Sequence, residues 1–223
     1  MGVFDPPAPD LAAEREQRRV GYGAGGSNLF EAGAFAGMSL VAGWLGGYSV
    51  AAWAVVLNVV AVIFMVPLGL STATAVQVGR AYGARDSKGM SRAGWIAFGV
   101  TAVFALLVSA LLFPLRHLVA AAYTSDPAAL ALIGPALALS CLFLLPDAVQ
   151  VVCAQALRAR GEVWIPTATH MVAYALIMGP LAWWLALPMK LGVNGIVLSV
   201  IITSFIAAGL LLGRYRMLDV RDR

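Results

Sequence analysis

Six apolar stretches divide this chain, at about residues 26–45, 48–70, 94–113, 128–155, 165–187 and 193–212, each close to the roughly 20 residues a helix needs to cross a hydrocarbon core. Inside a bilayer every backbone N–H and C=O must be paired without help from water, which leaves only helices and closed barrels. Stretches of this length read as helices. The composition agrees, since 61% of the 223 residues are hydrophobic and 12% are charged, against roughly 45–50% apolar in soluble domains. The expected fold is an all-α, polytopic membrane bundle of six transmembrane helices. It divides into a polar leader (1–25), a six-helix lobe (26–213) and a tail (214–223). Gly46 and Gly47 form an uncharged turn that should fold the first two spans into an antiparallel hairpin.

The basic residues set the expected orientation. Of 15 Lys and Arg, only Arg116 and Lys190 fall on one side; Arg15, Arg18, Arg19, Arg80, Arg85, Lys88, Arg92, Arg158, Arg160, Arg214, Arg216, Arg221 and Arg223 fall on the other. By the positive-inside rule, both termini and the links after the second and fourth spans are cytoplasmic, in a multi-pass protein of the inner (plasma) membrane. The leader lacks the apolar centre and cleavage site of a signal peptide. Pro6 also stands where a lipidation signal starting at Gly2 wants Ser or Thr.

Within the spans, charge is scarce and informative. Asp147 lies in a run from Ala128 that carries no other charge until Arg158, and Glu31 lies early in the first span. Ionisable groups inside a bilayer are costly, so they face a protein interior or a watery cavity and commonly handle ions or protons. Glu31 follows Arg19, and Asp147 precedes Arg158, by distances that put each acid roughly 16–18 Å from a basic anchor at 1.5 Å per helical residue. At one depth, the two acids are expected to share one cavity. Gln150 falls three residues after Asp147 and Phe143 four before it, on one helical face. Phe35 and Met38 follow Glu31 by four and seven. Phe35, Met38 and Phe143 are therefore candidate cavity-lining residues, with core packing as the other reading.

Gly33 and Gly37 form a GxxxG pair on the side of the first span away from Glu31, where a neighbouring backbone is expected to pack. Pro67, Pro135, Pro146, Pro180 and Pro188 mark positions where helices bend or are simply tolerated. Cys141 and Cys153 share one span and are read as buried thiols without a disulfide. His170 is read as a packing residue in the fifth span. No GxxxxGK loop, no metal-ligand spacing and no nucleophile beside a base occurs, so ATP drive, an enzymatic activity and a cofactor are not expected. The Arg and Lys between the second and third spans read as topology signals and contacts for the lipid bilayer rather than for nucleic acid.

Several stretches together carry a resemblance: LFEAGAFAGMSLVAGWLGGYSVAAWAVVLNVVAVIFMVPLGLSTATAVQVGRAYGARD, then PDAVQVVCAQALRARGEVWIP, then LGVNGIVLS. From about Arg19 to Arg214 the chain resembles the C-terminal half of the multidrug and toxic compound extrusion (MATE) transporters. That likeness implies one lobe of a twelve-helix protein, completed by a second six-helix lobe or by a homodimer around a central cavity. By the same likeness Glu31, Asp147 and Gln150 match the lobe's acids and amide, and Asn58 matches a polar position of its second helix; both amides also suit interhelical hydrogen bonding. The family's Leu-Pro ahead of the first acid reads Tyr22-Gly23 in this chain, and its Leu-Arg-Gly after the fourth helix reads Leu157, Arg158, Ala159. The function implied is efflux of cationic small molecules by antiport against H+ or Na+, with sodium or a proton at Glu31 and Asp147. Two other readings stand beside it, a flippase for lipid-linked glycans and a non-transporting six-helix membrane partner.

Overall fold

The computed structural model describes residues 11–221; the lipidation positions Gly2 and Pro6, the other residues of 1–10, and the tail residues Asp222 and Arg223 lie outside that range. The regular structure of the described residues is all helical, in the order α1 (Leu11–Trp44), α2 (Gly47–Gly83), α3 (Ser87–Tyr123), α4 (Pro127–Ala159), α5 (Trp164–His170), a π-helix (Met171–Met178), α6 (Gly179–Ala186) and α7 (Val193–Arg221). Each expected apolar stretch lies on one of these helices or on the composite of α5, the π-helix and α6. By length and composition α2, α3, α4, that composite and α7 suffice to cross a membrane. The first stretch belongs to α1, whose 34 residues also carry the polar front end. That front end is helical from Leu11 through its glycines, and α7 continues helical through most of the tail.

Local chemistry explains the boundaries. Gly46 has φ +106°, a conformation open to glycine, and turns the chain between α1 and α2. Asp86 caps α3 by accepting a hydrogen bond from Gly89 N at 2.9 Å. Asp126 caps α4 through Ala128 N at 2.9 Å, with Pro127 in the first helical position, where its missing N–H costs nothing.

α4 forms the centre of the lobe, packed against α2, α3 and α7. It carries the longest set of buried residues and runs unbroken through Pro135 and Pro146. The fifth span responds differently to proline. It widens into a π-helix that ends at Met178, two residues before Pro180; the wider turn relieves the clash of a proline ring with the preceding carbonyl. α3, in contrast, presents Val103, Leu106, Leu107, Leu111 and Leu118 outward, as a helix facing lipid should.

Where helices approach most closely, glycine is required. A Cβ on Gly195 of α7 would lie 2.7 Å from backbone atoms of Leu185 and Ala186. Among the described residues Gly33 and Gly37 do not pack against a neighbouring backbone as expected: none lies within 4 Å of a Cβ built on either. The GxxxG face borders an open groove between α1 and the fifth span, lined also by Phe30, Met38 and Tyr174.

Candidate functional site

Asp147 sits in mid-α4 and is 4% exposed. Its carboxylate is held from two directions. Gln150 Nε2, three residues on, donates to Asp147 Oδ1 at 2.8 Å, and Ser204 Oγ from α7 donates to the same oxygen at 3.4 Å. Gln150 Nε2 also donates to the hydroxyl oxygen of Tyr174 on the π-helix. The helical spacing of Asp147 and Gln150 thus yields a direct contact, anchored by a ring from a separate span.

Glu31 is partly buried and meets Asp147 across a pocket of about 340 Å³ between α1, α2 and α4. Phe35, Leu57, Val60, Ala61, Phe64 and Met65 complete its walls, so two acids face an otherwise apolar space. Phe35 is positioned by stacking on Trp53, with ring centroids 6.5 Å apart and planes 11° apart.

The structure separates the remaining sequence candidates. Phe143 is 1% exposed and belongs to the core around α4. Met38, also 1% exposed, faces the groove between α1 and the π-helix, since a seven-residue step from Glu31 along the helix carries it a further 10 Å or so from the acid. Neither lines the acidic pocket. Asn58 is exposed and accepts a hydrogen bond from the Tyr123 hydroxyl at 2.7 Å, near the far end of α3. It neighbours Leu57, which lines the pocket, but one helical step turns its side chain away.

Other residues join the site without having been singled out. Ser204 and Tyr174 are short polar interruptions in apolar spans, and that is the one trace they leave in the sequence. Arg158 reads as an orientation signal but turns inward: Nη2 donates to Ser27 Oγ at 2.6 Å and Nη1 to Gln155 Oε1 at 3.3 Å. Ser27 lies one turn before Glu31 on α1, so Arg158 reaches α1 close to the acid in sequence. His170, 3% exposed, has no hydrogen-bond partner for either ring nitrogen among the described residues and meets Tyr174 edge-on, with centroids 5.5 Å apart.

Fold and pocket define a class: a multi-pass membrane helical bundle with charged groups turned into its interior. Residues 24–184 match the family model described as MatE, and the chain belongs to that family. It is 68% identical over 223 residues to the probable multidrug resistance protein NorM of Caulobacter vibrioides, covering 100% of this chain and 47% of that relative. To its namesake in Bradyrhizobium diazoefficiens it is 34% identical over 216 residues, covering 95% of this chain and 46% of the relative. A solved outward-facing conformation of a multidrug resistance MATE family transporter superposes with a TM-score of 0.90 at 22% identity, covering 100% of this chain and 50% of that one. The structure of the eukaryotic MATE transporter AtDTX14 gives 0.83 at 23%, covering 90% and 45%. At that identity the structural likeness establishes the fold alone. The chain spans about half the length of the curated relatives it matches.

Proposed function

We propose that this chain forms one lobe of a secondary exporter that releases organic cations in exchange for an inward proton or sodium ion, with Glu31 and Asp147 binding the two in turn. The observation that carries the reading is the single pocket shared by these acids, which come from helices far apart in sequence. Walls that are mainly apolar, with a few convergent polar groups, suit a hydrophobic cation. Phe35 adds a ring face for cation–π contact.

Competition for one site couples the fluxes, because an ion and a substrate that exclude each other, with different affinities for the two orientations of the site, drive one another across. Gln150 fits both states of Asp147. Its NH2 donates to the carboxylate, and a half-turn of the amide offers a carbonyl oxygen to the protonated acid. No cofactor enters this scheme.

The complete cavity needs a second six-helix lobe or a second copy of this chain. The protein works in the inner membrane with both termini cytoplasmic, the side to which most basic residues belong. Nothing in the site favours glycan flipping or a purely structural role. The test is efflux of a fluorescent organic cation from cells producing the protein, under an imposed proton or sodium gradient. Asp147→Asn should abolish coupled efflux while membrane insertion persists; efflux unchanged from wild type would remove Asp147 from the mechanism.

A further inference from the structure

The link between α2 and α3 builds a second pocket, well away from the acids. It has a volume of about 800 Å³ and carries Arg85, Lys88 and Arg92 on its walls, with Trp95 and Ile96 on the side of the apolar span. Its one carboxylate, Asp86, is occupied in capping α3 through Gly89 N. Ser91 Oγ and Trp95 Nε1 both donate to Asp219, at 2.8 and 3.3 Å, so these two groups are engaged as well. The three cations are left over: among the described residues none of them forms a hydrogen bond or an ion pair with another side chain. Arg85 holds φ +56°, where glycine would sit without strain, and the chain carries a guanidinium there instead.

A second, mainly apolar cavity of about 420 Å³ adjoins this one, with Thr74 and Gln77 its polar residues besides Arg92. Leu70, Ala73, Ala93, Ala97 and Val100 line it, and Arg92 and Ile96 belong to both cavities. From Arg92 to Val100 the groove descends roughly 12 Å of helix into the apolar span. Trp95 marks the level at which aromatic residues mix with headgroups. A soluble anion would use the basic pocket and leave the groove unexplained. A basic head site opening directly into an apolar channel between two membrane helices has the shape and charge of a phospholipid site.

We propose that this composite cavity holds an anionic phospholipid, its phosphodiester head on Arg85, Lys88 and Arg92 and one acyl chain between α2 and α3. The site is independent of the transport reading, because it uses none of the residues around Glu31 and Asp147. The experiment measures lipid retained by the purified chain in detergent by native mass spectrometry, with phosphatidylglycerol, phosphatidylcholine and inorganic phosphate as probes and circular dichroism to confirm folding. Wild type should retain phosphatidylglycerol in preference to phosphatidylcholine. Each basic residue replaced by Gln should weaken retention about fivefold, and Arg85→Gln, Lys88→Gln and Arg92→Gln together on the order of a hundredfold. Ala73→Trp, at an exposed position on the groove wall, should also lower phosphatidylglycerol retention although no charge changes. Equal retention of the two lipids overturns the proposal, as does a folded triple variant that binds like wild type. Displacement of the lipid by inorganic phosphate, with Ala73→Trp unaffected, overturns it in favour of a headgroup-only anion site.

Discussion

Replacing Asp219 with Ala should loosen one whole end of the bundle. This carboxylate, in the last turns of α7, is 5% exposed and accepts hydrogen bonds from Ser91 and Trp95 at the start of α3. Arg160, which follows α4 directly, places Nη1 4.0 Å from Asp219 Oδ1 with only 2% of its side chain exposed, and its guanidinium lies 4.8 Å above the Tyr215 ring. Tyr215 donates in turn to Met90 O at 2.8 Å. Three helix ends thus meet on one buried acid. An acid near a helix C-terminus opposes the helix dipole by about 0.3–1 kcal/mol, so its contacts must outweigh that cost. Removing one partner of a buried pair typically costs about 3–5 kcal/mol, because the other charge stays buried. Losing the hydrogen bonds that Ser91 and Trp95 give to a charged acceptor, at about 1.5 kcal/mol each, places Asp219→Ala at about 3 kcal/mol. At roughly 2–4 °C per kcal/mol for a chain of this size, the apparent Tm in detergent should fall by about 6–12 °C. Combining Asp219→Leu with Arg160→Met should recover most of the loss, since replacing both charges by apolar groups is often neutral. A fall of less than about 2 °C for Asp219→Ala, or a double variant no more stable than the single one, would refute the clasp.

Two further tests address packing and the pocket. Gly195→Val should destabilise by roughly 1–3 kcal/mol, because its Cβ would meet backbone that cannot move aside, while Gly33→Ala should be neutral or stabilise by about 0.4–1 kcal/mol in its open surroundings; thermal unfolding of both in detergent checks the contrast. Phe143→Ala should cost about 3–5 kcal/mol of stability as a core deletion, whereas Phe35→Ala should mainly weaken binding of a fluorescent cation, so paired unfolding and binding measurements should separate the two rings.

Much of the site can be read from short-range pattern. The three-residue step from Asp147 to Gln150 is a hydrogen bond in the fold, and Glu31 and Asp147 line one pocket as expected, although Arg158, one of the two anchors that suggested it, turns inward. The same reasoning fails where a partner is needed to decide which side of a helix is inside. Phe143 and Phe35 each stand four residues from an acid, yet one is core and the other lines the pocket. Asn58 misses the pocket by one helical step, and the GxxxG face of α1 borders an open groove rather than a closely packed backbone. Arg158 and Arg160 have the composition of interfacial anchors and the positions of interior ones.

Membrane crossing is decided over about twenty consecutive residues, because the transfer of each side chain and the pairing of each backbone group within its own helix are local quantities. The amino-acid order alone therefore settled the helical class, five of the six expected spans and the presence of two acids among apolar neighbours, while the first stretch lies on α1, whose polar front end keeps it outside that set. Which groups those acids meet was settled by the packing of α1, α2, α4, the π-helix and α7, since Ser204 and Tyr174 reach Asp147 and Gln150 from separate spans. Hydropathy carries no information about rotation around a helix axis once every face is apolar, and only the shapes of neighbouring helices can fix it.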